Sequence, residues 1–137
     1  MCTGLYSYAD LAKLCKAGRN TIYRRVKRLE ETRVIKRKIS ALPNFRKLNL
    51  SAVVVGLNLE AKDVEKAIDF LKKNRQIKFV WKTYGAHDIV FMIICEKGEE
   101  GANIYNLREK LEEIGIQVKR FDTSTSITWE KVDFTPY

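Results

Sequence analysis

The 137-residue sequence has a single histidine and three cysteines, an odd number at scattered positions (Cys2, Cys15 and Cys95). They form no C-x-x-C pair and no metal-ligand spacing, so a disulfide framework and a structural zinc site are both unexpected. Reduced thiols in a cytoplasmic protein are the plain expectation. No apolar run approaches the roughly 18–20 residues needed to cross a bilayer. The longest, Ile89 to Cys95, has the length of a strand. Met1 to Tyr6 lacks a charged segment followed by an apolar one, so no secretory signal is expected. There is no phosphate-cradling glycine loop and no Ser/His/Asp pattern with a recognisable spacing. Neither catalytic residues nor a cofactor are expected, and no metal.

Charge is abundant but unevenly placed. Residues 1–48 carry 13 Lys or Arg against three acidic side chains, a net +10. Residues 49–137 carry 13 basic and 14 acidic groups, a net −1. A polyanion partner is therefore expected for the first third alone. An anionic membrane surface would require bulky apolar residues exposed opposite the charges. Here the apolar stripe reads as core, so no membrane contact is expected. The 45% hydrophobic content excludes wholesale disorder.

Ser7 followed by Asp10 predicts an N-cap and a short helix from about Tyr8 to Lys16. Gly18 breaks the pattern, and a second helix is predicted from Arg19 to about Thr32. Ile22, Val26 and Leu29 recur at i, i+4 and i+7 and form one apolar stripe. Asn20, Arg24 and Lys27 fall on the opposite face, flanked by Tyr23 and Arg28, with Arg19 and Thr21 in the first turn. Two short helices joined by a tight turn predict a helix-turn-helix, whose second helix suits the major groove. Arginine can read guanine bidentately, asparagine can read adenine, and both can bind phosphate. An ordinary solvated helix face is the competing reading. The next segment, 34–42, alternates apolar and basic residues and predicts a hairpin wing carrying Lys36, Arg37 and Lys38. Pro43 and Asn44 then break structure, and Phe45 to Asn49 reads as a turn or linker.

From Leu50 the pattern changes. Leu50 to Leu59 predicts a strand with Val53, Val55, Leu57 and Leu59 on one face, followed by a helix over Lys62 to Asn74. Ile77 to Tyr84 and Ile89 to Cys95 predict two strands joined by Gly85-Ala86-His87-Asp88. A second helix is predicted from Ala102 to Ile114, stopped by Gly115, and a last strand lies within Val118 to Glu130. The order βαββαβ is ferredoxin-like. Two helices can cover only one sheet face, and the other is also apolar, so burial against a second copy is expected. The whole is expected to be α+β: residues 1–48 a winged helix-turn-helix, 49–137 a ferredoxin-like oligomerisation and effector domain.

Three stretches together resemble the Lrp/AsnC, or feast/famine, family of bacterial and archaeal transcriptional regulators, from about Tyr8 to Thr128. The first is Asn20-Thr21-Ile22-Tyr23-Arg24-Arg25-Val26-Lys27-Arg28-Leu29-Glu30-Glu31-Thr32-Arg33-Val34-Ile35, similar to the recognition helix and its entry into the wing. The second is Thr83-Tyr84-Gly85-Ala86-His87-Asp88-Ile89-Val90, similar to the G-x-x-D turn of the family's C-terminal RAM domain. The third is Asp122-Thr123-Ser124-Thr125-Ser126-Ile127, similar to its last strand. The resemblance implies double-stranded DNA as partner, dimers paired through RAM sheets, often octamers, and a small-molecule effector, usually an amino acid, bound between dimers. It implies an effector pocket involving Tyr84, Gly85, His87, Asp88, Thr123 and Thr125. Asp88 could hold an ammonium group there; the structural alternative is that it caps its turn or pairs with a neighbouring lysine.

Two features depart from the family pattern. Only Met1 to Ser7 precede the helix pair, so the family's first helix is expected to be short or missing. His87 stands where the family often has an aromatic residue. Two alternatives accompany the regulator reading: a tetrapyrrole (siroheme-type) decarboxylase of related architecture, and a ligand sensor with a vestigial DNA-binding part.

Overall fold

The computed structural model describes residues 7–35 and 43–133. The wing residues Lys36, Arg37 and Lys38 lie outside the described residues. The chain divides into two compact units, one holding Met1–Leu42 with Lys131–Tyr137, the other Pro43–Glu130.

In the first unit, helix α1 spans Tyr8–Leu14 and helix α2 spans Arg19–Glu31. Ser7 starts α1 through a full capping box. Its hydroxyl accepts from the Asp10 backbone N–H at 3.1 Å, and the Asp10 carboxylate accepts from the Ser7 N–H at 3.1 Å. Both helices end in a Schellman arrangement on a non-glycine residue. Lys16 (φ 49°) and Arg33 (φ 58°) take the left-handed position, and Ala17 and Val34 donate back to Ala12 and Leu29. The left-handed residue after α1 is therefore Lys16, while Gly18 is an extended N-cap of α2. Along the stripe of α2, Ile22 is buried, Val26 half-buried and Leu29 39% exposed. The expected core is thus incomplete among the described residues: α1 has seven residues, none of them buried, and offers little surface to pack against.

The second unit is built on a four-stranded antiparallel sheet. Strands β1 (Leu50–Leu59), β2 (Ile77–Lys82), β3 (Ile89–Glu96) and β4 (Val118–Thr125) lie in the order β2-β3-β1-β4. Helices α3 (Val64–Lys73) and α4 (Glu100–Glu113) follow β1 and β3, giving βαββαβ. A 3-10 turn over Ala61–Asp63 leads into α3. Alternation sorts β1 and β3 cleanly. Val53, Val55, Leu57 and Leu59, with Ile89, Phe91, Ile93 and Cys95, pack under Val64, Ala67, Ile68 and Leu71 of α3 and Leu107 and Leu111 of α4. Gly115, at φ 82°, ends α4 and lets Ile116 tuck into this core.

Among the described residues of this unit, neither α3 nor α4 covers the other sheet face. Val54, Met92, Val90, Phe79 and Trp81 lie on it by register, with Val54 and Trp81 exposed and the Phe79 and Trp81 rings stacked 5.5 Å apart. Strand β4 occupies the first part of the expected Val118 to Glu130 segment and ends at Thr125. Beyond it, Ser126 donates to the Ala52 carbonyl at 2.8 Å, and the indole of Trp129 donates to the Leu50 carbonyl at 2.7 Å. A side chain thus replaces the strand ladder at this end of β1.

Candidate nucleic-acid interface and effector site

Helix α2 gathers the basic residues. Arg19, Asn20, Tyr23, Arg24, Arg25, Lys27 and Arg28 are all exposed, and Thr21 is half-buried. The cations occupy positions before Leu29, while Glu30 and Glu31 close the helix. Tyr23 is held edge-on against Tyr8 of α1, ring centroids 5.4 Å apart, which orients one flank of the face. Arg25, absent from the expected set, is as exposed as its neighbours. A face of guanidinium and ammonium groups with an interleaved amide has the donors that phosphate oxygens and base edges accept from.

The turn between β2 and β3 is tied into the sheet by its own polar groups. The Thr83 N–H donates to the Asp88 carbonyl at 2.9 Å, and the Thr83 hydroxyl to the His87 carbonyl at 2.6 Å. The Asp88 N–H donates to the Leu57 carbonyl, and one Asp88 carboxylate oxygen accepts from the Leu59 N–H, each at 2.9 Å. Asp88 therefore extends the pairing of β1 with β3 by one residue, just before β3 begins. Gly85 sits at φ 133° with nothing within 4 Å of a built Cβ, so it serves conformation and not close packing. Tyr84 projects fully into solvent.

His87 turns away from this ladder onto the helix-free face. Its Nδ1 lies 3.0 Å from Asn58 Oδ1, and its Nε2 lies 3.5 Å from an Asp122 carboxylate oxygen. Asn58 is oriented by donating its own amide N–H to the Ala86 carbonyl at 3.0 Å, which presents its oxygen to the imidazole. Asp122 is in turn held by Arg120 at 2.7 Å. The imidazole covers Gly56, where any side chain would collide with it. Asn58, Asp122 and Gly56 were not legible as partners of His87, because they come from strands 29 to 35 positions away.

The expected effector residues do not all face one way. Thr123 and Thr125 stand opposite Val55 and Val53, on the helix side of the sheet, while His87 and Asp122 occupy the other side. Among the described residues no group of three or more His, Cys, Asp or Glu side chains could hold a metal ion, and no helix is long and apolar enough to cross a membrane.

The fold is shared with solved transcriptional regulators of the AsnC type. Escherichia coli AsnC matches over 93% of this chain and 85% of its own, at 20% identity and a TM-score of 0.72. An AsnC family regulator from Agrobacterium tumefaciens matches over 96% and 86%, at 16% identity and 0.75. A transcriptional regulator from Neisseria meningitidis, solved as a complex with L-methionine, matches over 96% and 85%, at 18% and 0.72. No protein-family model and no curated protein matches the sequence.

Proposed function

We propose that this protein is a DNA-binding transcriptional regulator of the Lrp/AsnC type. The observation that carries this is the exposed basic face of α2, within the third of the chain that holds all the excess positive charge. In this reading α1 and α2 form the helix-turn-helix, α2 enters the major groove, and Lys36, Arg37 and Lys38 follow the phosphate backbone. Two copies pair through the helix-free sheet face, whose exposed Val54 and Trp81 need cover, and pairs assemble further. The chain is then not an enzyme.

A small molecule, an amino acid in the first instance, acts at the end of the sheet where the turn from Thr83 to Asp88 meets His87, Asn58 and Asp122. The methionine complex of the Neisseria relative supports that class of effector. The deciding experiment is a gel shift with fragments of the source genome. Selective retention of some fragments over others at physiological salt supports the regulator reading. Retention of none, or of all alike, overturns it.

A further inference from the structure

At the opposite end of β1 from the Gly85–Asp88 turn, the structure holds a cleft of about 360 Å³. Its back wall is Trp129, fixed in three ways. The indole stacks on Phe45 at 4.5 Å, its N–H donates to Leu50, and the Arg46 guanidinium grips the Trp129 carbonyl through Nε (3.1 Å) and Nη2 (2.6 Å). Arg46 is itself set by a Schellman turn, in which Asn49 (φ 53°) is left-handed and Leu50 donates to Phe45. Lys97 closes one side, anchored where its backbone N–H donates to the Asn49 carbonyl at 2.9 Å. Ile127, 85% exposed, and Glu130 complete the rim.

We infer that this cleft is a ligand site for a small carboxylate with an apolar body, with amino acids preferred over simple acids. The volume is that of a small-ligand pocket. Its aromatic wall is already ordered, so binding need not organise it. Arg46 spends two of its five N–H donors on Trp129, leaving others for an incoming carboxylate, and Lys97 adds a second cationic residue to the lining. Trp129 and Ile127 offer the apolar contact. Glu130 lies on the same rim and favours a ligand that adds a positive group. The site is separate from the effector turn and stands or falls without it.

The test uses the full chain carrying Trp81→Phe, so that Trp129 is the only indole, and follows its fluorescence. The probes are L-phenylalanine, 3-phenylpropionate, which lacks the ammonium, and phenethylamine, which lacks the carboxylate. The expected result is a saturable change with L-phenylalanine, a weaker one with 3-phenylpropionate, and none with phenethylamine. Lys97→Glu, at an exposed position, should weaken binding on the order of tenfold, the scale of one charge-assisted contact. His87→Gln, at the other end of the sheet, should leave the signal unchanged. No saturable response to either carboxylate, or a response indifferent to Lys97→Glu, overturns the assignment. A response lost in His87→Gln assigns the ligand to the turn and equally overturns it.

Discussion

The imidazole of His87 lies so close over Gly56 that a Cβ added to Gly56 would stand 2.5 Å from His87 Cδ2 and 2.6 Å from Cγ. Glycine in the middle of a strand normally weakens it. Here its missing side chain is what allows a polar ring from a distant turn to rest on the sheet, between Asn58 and Asp122.

Gly56→Ala should therefore destabilise the protein by about 1–3 kcal/mol, the usual range for overpacking. In a His87→Ala background the same substitution should cost little. A urea double-mutant cycle measures the coupling. An equal penalty in both backgrounds would show that the ring and the glycine are energetically independent.

Asp88 bears on the effector reading. Its carboxylate serves the Leu59 N–H, a backbone donor at a buried position. Asp88→Ala should cost about 1–3 kcal/mol through that unsatisfied amide, with no ligand present. Any loss of ligand response in this variant must be judged against its lowered starting stability. Unchanged unfolding without ligand would mean that the amide finds another partner.

The DNA reading makes an ionic prediction. If about six to ten phosphates are neutralised per bound pair, log K should fall against log salt with a slope of about −5 to −9. Arg24→Ala and Asn20→Ala should cost about 1–3 kcal/mol at the preferred fragment and less elsewhere, if they read bases. Fluorescence anisotropy across a salt series decides both. A slope near zero removes the electrostatic argument.

Pairing through the open sheet face predicts that Val54→Asp dissociates the assembly, because it plants a charge among exposed apolar groups away from the monomer core. Sedimentation equilibrium would show a folded monomer in place of a dimer. A variant that stays fully dimeric at micromolar concentration shifts the interface elsewhere.

The start of α1 predicts an acid-sensitive end. Hydrogen bonds from the Ser7 hydroxyl and then the Ser7 backbone N–H hold the Asp10 carboxyl below its ordinary value of 3.8. A carboxylate with a lowered folded-state value contributes stability that is present above the ordinary value and lost as pH falls through the lowered one. Amide exchange at Tyr8–Leu14 should therefore rise below about pH 4, and Asp10→Asn should abolish that step. Persistence of the step in Asp10→Asn would assign it to another group.

Much of the architecture was legible because it rests on local periodicity. The alternation of β1 and β3 and the apolar repeats of α3 and α4 place the core without knowledge of their partners, since side-chain direction follows from backbone geometry alone. The N-cap at Ser7 and the stop at Gly115 are likewise local. Thr123 and Thr125 were grouped with His87 from the resemblance, whereas the β1–β4 register puts them on the opposite side of the sheet.

The sequence by itself determined the charge division, the periods of the elements and their order, because each depends on residues a few positions apart. Tertiary structure alone decided where β4 stops, which carboxylate His87 meets and what Asp88 holds. Trp129 ends the ladder by donating to Leu50, 79 positions away, and Asp122 reaches His87 only because β4 pairs with β1 at Gly56. Such contacts depend on register and chain crossing, which set distances between residues that no local pattern relates.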